Sequence, residues 1–184
     1  MFDNLKYPIL NEDSKESILR NAYLYACHKD IEVIKPGNVN INSPHHDTTA
    51  SDYLISSINS GSELFHEEYS LGDRILKAVI ATRDETLTNT NLGIIMLCAP
   101  IIHALVKYKG SDLREAIIKT IDDATPDDTV KICKAINISS PGGLGDASKY
   151  DTKSLPNVKL REIMSYSAGY DRISHQYHNN FKDI

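Results

Sequence analysis

L-G-I-I-M-L-C-A-P-I-I-H-A-L-V, Leu92 to Val106, is the longest apolar stretch of the 184-residue chain. Pro100 and His103 break it, and it falls short of the ~20 residues a bilayer span needs, so it reads as a buried core helix, expected over 92–108. Pro100 has no N–H to donate and is expected to kink that helix or split it in two. His103 reads as a core residue rather than a ligand. An apolar helix of this kind is covered by its neighbours, and the sequence on either side reads as further helices.

Upstream, Asp13-Ser-Lys-Glu16 has the form of a capping box, and Ile18, Ala22, Tyr25 and Ala26 follow at helical spacing. A helix is expected from about Ser14 to Lys29. Thr48 or Thr49 should cap a second helix with Tyr53, Leu54, Ser57 and Ile58 inside, ended by Gly61. Glu63 to Tyr69 suggests a turn or two. Ser70 should cap a third helix with Ile75, Leu76, Val79 and Ile80 inside, ending near Arg83. Downstream, Ser111 is expected to cap a helix carrying Leu113, Ile117, Ile118 and Ile121. Thr125-Pro-Asp-Asp128 is a strong helix start: a side-chain acceptor, Pro in the first turn, then acids on the positive end of the dipole. Val130, Ile132, Cys133 and Ile136 lie on its inner face. Asn157 should open a last helix running through Leu160, Ile163 and Met164 to His175 and Tyr177. No segment shows sustained strand alternation. The reading is an all-α bundle of about seven or eight helices, one domain over 1–184, with polar loops converging on one site.

Net charge is −5, which argues against a nucleic-acid backbone as partner. The three cysteines are not in C-x-x-C spacing and fall on apolar helical faces. They read as core residues in a reducing compartment, hence a cytoplasmic protein. The start, M-F-D-N-L-K-Y-P, has no basic region followed by an apolar run, so neither a signal peptide nor a membrane anchor is expected.

Polar chemistry concentrates between the helices. Glu32 to Asp47, E-V-I-K-P-G-N-V-N-I-N-S-P-H-H-D, joins two helices without a period of its own. A connection that long and polar is more often functional than filler. Thr88-Asn-Thr-Asn91 stands where the apolar helix begins. Free N–H groups at a helix start hold anions, so Asn89 and Asn91 either meet a phosphate or merely cap the helix. Pro141-Gly-Gly-Leu-Gly145 lets backbone approach a phosphate or ribose closely, or serves only as a connector. It is neither a P-loop nor a dinucleotide fingerprint. His45, Asp47 and Asp52 suit acid–base work or a divalent ion. Asp122-Asp123 at a helix end opposes the dipole, unless the pair belongs to the start of the next helix. Asp171-Arg172 reads first as an ion pair and second as a phosphate contact. Spacing thus points to an anion-friendly pocket for a phosphorylated ligand with a divalent ion, and names no reaction.

Taken together, these segments resemble the triphosphoribosyl-dephospho-CoA synthase family. The resemblance rests on E-V-I-K-P-G-N-V (32–39), H-H-D-T-T-A-S-D-Y (45–53), T-N-T-N-L-G (88–93), Ala99-Pro100 and D-D-A-T-P-D-D-T (122–129). It continues with P-G-G-L-G (141–145), Asp151 and L-R-E-I-M-S-Y-S-A-G-Y-D-R-I-S-H-Q-Y (160–177). The blocks occur in family order over nearly the whole chain. The P-G-G-L-G and T-N-T-N-L-G forms are closer to the archaeal-type branch than to the enzymes serving citrate lyase. Thr48 stands where many relatives have Met. Ile132-Cys133 replaces a more usual Val-Tyr. Relatives also run on for a further helical subdomain, so the chain is expected either to be a fragment or a shortened relative.

The resemblance implies transfer of the 5-triphosphoribosyl group of ATP to the 2′-hydroxyl of dephospho-CoA, or to a related acceptor, with release of adenine. It implies Glu32, His45 and Asp47 as catalytic residues. Lys35, Asn38, Thr88, Asn89, Asn91, Gly142, Gly143, Gly145 and Arg172 would bind the nucleotide, and Asp122 and Asp123 would hold Mg²⁺. Two other readings stay open: a Mg²⁺-dependent nucleotide or ADP-ribose-type hydrolase, and a non-catalytic nucleotide-binding or oligomerisation module. A homo-oligomer is also left open.

Overall fold

The computed structural model describes residues 14–35, 39–44, 48–86, 88–142 and 149–184. Among them lie eight α-helices and no strand: α1 Lys15–Glu32, α2 Ala50–Leu64, α3 Leu71–Thr86, α4 Leu92–Lys107, α5 Leu113–Asp123, α6 Pro126–Ser139, α7 Leu160–Ser167 and α8 Arg172–His178. A 3-10 turn, Thr152–Ser154, stands between α6 and α7. The expected all-α architecture is therefore observed. One buried apolar cluster takes side chains from every helix, from Tyr23 on α1 to Tyr177 on α8.

The apolar run forms the central helix, α4, and Pro100 lies inside it without splitting it. A proline at this position leaves the carbonyl four residues back without its helical donor. That carbonyl belongs to Met96, and the Tyr177 hydroxyl donates to it at 2.6 Å. Tyr177 is fully buried, and burial pushes its phenol well above the usual range, so it stays a donor. The bond also staples α8 to α4. Tyr177→Phe should keep the packing and orphan the Met96 carbonyl, costing about 1–3 kcal/mol. A urea midpoint unchanged from the parent chain would show that the carbonyl finds another donor.

Packing between α3 and α6 is closer than side chains allow. A Cβ on Gly72 would lie 2.6 Å from the Asp128 Cα. The bare backbone lets the Gly72 N–H donate to Asp128 Oδ1 at 2.8 Å. The other carboxylate oxygen accepts from the Thr125 N–H at 2.8 Å, completing the capping box that starts α6. Burial raises the Asp128 pKa, but hydrogen bonds from Ser70, Thr125 and Gly72 outweigh it and hold the group below the usual carboxylate range. Beside this contact lies Arg74, fully buried. Its guanidinium donates to the Leu64 carbonyl and, at 2.8 Å, to the His66 carbonyl. It thereby satisfies acceptors at the C-terminal end of α2 with a cation, as the helix dipole favours. Burial draws its pKa down to about 10. His103, buried as expected, is held neutral, with its pKa pulled down to about 4 by desolvation and then by Arg74.

Other boundaries differ from expectation for local reasons. Ser14, rather than Asp13, caps α1, accepting from Ser17 N–H at 3.1 Å. Asp112, rather than Ser111, caps α5, accepting from the Arg114 and Glu115 N–H groups. Gly61 does not end α2. It is buried inside the helix, where a Cβ would meet the Tyr23 ring at 3.4 Å, an ordinary packing distance. The inner face of α2 is Ser56, Ser57 and Ser60 with Leu54, while Ile58 is exposed. Ile80 and Leu113 are also exposed. The single last helix is two: α7 starts at Leu160 rather than Asn157, and a turn through Gly169 precedes α8. Asp171 starts α8 by accepting from the Ser174 N–H at 2.6 Å.

Candidate active site

A cavity of about 420 Å³ opens between α4, α6, α7, α8 and residues 149–152. Its walls are apolar where the helices meet: Leu92 and Met96 from α4, Ile132 and Cys133 from α6, Met164 from α7 and Ile173 from α8. Its edge is polar. Asn89 stands at the start of α4, and its Oδ1 accepts from the Leu92 N–H at 3.3 Å. Pro141 and Gly142 follow the left-handed end of α6 at Ser140. Asp151 and Asp171 contribute two carboxylates, and Lys149 an amine.

Local sequence explains how Asp151 is held. It starts the 3-10 turn by accepting from the Lys153 N–H at 2.8 Å. The turn is pinned to α6 in both directions: Thr152 Oγ1 donates to Asn137 Oδ1 at 2.7 Å, and Asn137 Nδ2 donates to the Thr152 carbonyl at 2.9 Å. Burial pushes the Cys133 thiol up to about 11, and the Asp151 charge adds to it. Asp171 is more exposed and, like Asp151, spends one oxygen on its cap. A cavity with an apolar floor, aromatic and carboxylate edges and an amine at its mouth suits a nucleoside with a charged tail.

The family described as CitG, ATP:dephospho-CoA triphosphoribosyl transferase, matches residues 16–184. The chain belongs to this family. The reaction is triphosphoribosyl transfer from ATP to dephospho-CoA, so the protein is a glycosyl-type transferase with ATP and dephospho-CoA as substrates. No curated protein and no solved structure matches the chain. Among the described residues no helix is long and apolar enough to cross a membrane.

Only some CitG-family blocks meet at the cavity. Asn89, Gly142, Asp151 and the Tyr166–Ser174 stretch line it. Asn91 turns the other way: its Nδ2 donates to the Ser56 carbonyl at 3.2 Å and to Ser60 Oγ at 3.1 Å. Thr90 meets Ser56 Oγ at 2.5 Å. Asn91 and Thr90 thus hold the loop to α2 while Asn89 faces the cavity. Thr88 does not line it, and its Oγ1 is buried with no partner among the described residues. Glu32 lies outside the cavity, paired with Lys29 and, at 2.9 Å, with His28. The Lys29 bond is the main cause holding its carboxyl below the usual range. Lys35 pairs with Asp30. Arg172 is 80% exposed and stands 3.7 Å from Asp183, so the expected pair with Asp171 is not formed. His45, Asp47, Asn38, Gly143 and Gly145 lie outside the described residues.

Asp122 and Asp123 are also away from the cavity lining. Asp122 accepts from Arg161 Nε at 2.6 Å, and Asp123 from Lys119 Nζ at 2.7 Å and the Tyr108 hydroxyl at 2.8 Å. The Lys119 bond, then that of Tyr108, holds Asp123 below the usual carboxylate range. Among the described residues no three His, Cys, Asp or Glu side chains are grouped to hold a metal ion. Asp122 and Asp123 are instead engaged in ion pairs with Arg161 and Lys119. The three cysteines are free, and burial raises Cys27 to about 12 and Cys98 to about 11.

Sequence reasoning passed over Lys149, Tyr150 and Asn137. Tyr166 and Tyr170 carried a usable signal, two aromatics four apart flanking a Gly in Y-S-A-G-Y. Nothing local marks Asn137, whose role depends on a turn fifteen positions away.

Proposed function

We propose that the cavity between α4, α6, α7 and α8 receives the ribose and base of a nucleotide substrate, and that the transfer takes place at its edge. One observation supports this reading: Asn89, Gly142, Asp151 and Asp171, from four separate blocks of the family pattern, line one cavity. In the proposed step the 2′-hydroxyl oxygen of dephospho-CoA bonds to the anomeric carbon of ATP's ribose. The bond from that carbon to adenine breaks, its electron pair leaves on adenine, and the departing base takes up a proton at a ring nitrogen. A carboxylate takes the hydroxyl proton and faces the developing positive charge on the sugar, by analogy with glycoside cleavage.

Asp151 is the described carboxylate best suited to that role: it lines the cavity, and the turn it starts is pinned to α6. Asn89 would hold a ribose or phosphate oxygen, Gly142 would let the backbone approach the nucleotide, and Lys149 would meet the triphosphate. The roles of His45 and Asp47 rest on the family blocks alone. Magnesium would enter as the counter-ion of ATP's triphosphate, held mainly by phosphate oxygens and water; no step is derived through it. The P-G-G-L-G and T-N-T-N-L-G forms support the archaeal-type branch, and free buried cysteines suit a reducing cytoplasm.

The test incubates the chain with Mg-ATP, with and without dephospho-CoA, and follows adenine by chromatography. Adenine should appear only when dephospho-CoA is present. Free ribose triphosphate formed without acceptor would replace transfer by hydrolysis. No adenine under either condition would remove the catalytic reading.

A further inference from the structure

Tyr170 ends the α7 segment in the turn before α8 and is 73% exposed, yet it lines the cavity. Tyr166 lies one helical turn earlier and is 40% exposed at the same edge. Tyr150 stands edge-on to Tyr166, ring centroids 5.5 Å apart and planes at 89°. Tyr150 adopts φ 57°, left-handed backbone that a bulky residue holds only under constraint. Its hydroxyl donates to Glu162 on α7, which fixes the ring. The Lys149 amine lies 4.3 Å from the Tyr150 centroid and 5.9 Å from that of Tyr166.

A large aromatic ring left in water at a cavity edge loses the stabilisation that burial gives and leaves a π-face available for stacking. The exposed Tyr170 ring, with Tyr166, the half-buried Tyr150 and an amine beside the same cavity, matches a flat, electron-rich heterocycle carrying phosphate nearby. Rings recognise such bases by stacking, and the amine meets the anionic tail as a point charge. We propose that Tyr170, with Tyr166 and Tyr150 beside it and Lys149 at the phosphate side, forms an adenine-stacking subsite at the mouth of the cavity. This rests on the cavity being the nucleotide site. Both substrates carry adenine, ATP as the group that leaves and dephospho-CoA as a base that is kept, so the chemistry is shared and the assignment is made by experiment.

The full chain and its Tyr170→Ala and Tyr170→Phe variants are titrated separately with ATP and with dephospho-CoA by calorimetry, and KM is measured for each substrate. Tyr170→Ala should weaken one of the two about tenfold, while Tyr170→Phe, which keeps the ring, stays within about twofold of the parent chain. The substrate that weakens is the one whose adenine stacks there. Tyr170→Ala matching the parent for both substrates overturns the subsite. So does Tyr170→Phe losing as much as Tyr170→Ala, since the hydroxyl would then matter rather than the ring. Because binding is read apart from turnover, a chain that binds adenine nucleotides through Tyr170 but releases no adenine would reject the transfer and keep the subsite.

Discussion

Gly72→Ala should destabilise the protein by at least about 3 kcal/mol, toward the upper end of what one added methyl does in a packed interior. The new Cβ would sit 2.6 Å from the Asp128 Cα and 2.8 Å from the Asp128 carbonyl oxygen. Both are backbone atoms in the first turn of α6, so no rotamer change relieves the clash. Separating α3 from α6 also breaks the 2.8 Å bond from the Gly72 N–H to Asp128 Oδ1 and leaves that buried oxygen without this donor, so lost packing and a lost hydrogen bond add together. Urea unfolding followed by circular dichroism measures the effect. A midpoint within experimental error of the parent chain would mean that the two helices slide apart freely. The same carboxylate completes the capping box of α6, the helix that carries Ile132 and Cys133 to the cavity, so the loss of stability should bring a loss of activity with it.

Asp151→Asn should lower kcat for adenine release at least about 10²-fold while leaving the melting temperature nearly unchanged. Asn is as good an N-cap as Asp, so the acceptor for the Lys153 N–H and the Thr152–Asn137 clasp survive while the negative charge is removed. That separates chemistry from folding within one substitution. A positioning role would behave differently: Asn137→Ala, which loosens the clasp, should raise KM and lower kcat by smaller factors. An Asp151→Asn chain turning over at the parent rate would take Asp151 out of the mechanism and return the carboxylate role to Asp47.

Legibility followed the range of the interaction. The helices announced themselves by apolar spacing and by local capping chemistry: Thr125 caps α6 and Thr49 caps α2, each with an Asp three residues on. Errors at the ends were of one residue where two capping residues adjoin, as at Ser111-Asp112. They were larger where a distant partner decided. Gly61 looked like a helix end and lies inside α2, packed beside the Tyr23 ring. Pro100 looked like a kink or a split, and the Met96 carbonyl it frees is satisfied by a hydroxyl 81 positions along the chain from Met96. A polar pattern is weaker still as a guide to a site, because Asn, Asp and Lys satisfy each other as readily as they bind ligands. Asn91, Asp122 and Asp123 are used in this way, while Asn89, two residues from Asn91, faces the cavity.

Alone, the chain's order of residues determined that it would be helical, where most helices start, and which family it belongs to, since caps, periods and motif blocks are properties of neighbouring positions. Only the tertiary structure decided which of those polar residues share a cavity and what walls it. That depends on α3 approaching α6 without a Cβ between them, on Tyr177 closing the gap that Pro100 opens, and on Asn137 holding Asp151 in place. Each is a contact between segments far apart in the chain, formed only when the core packs, and no local pattern records it.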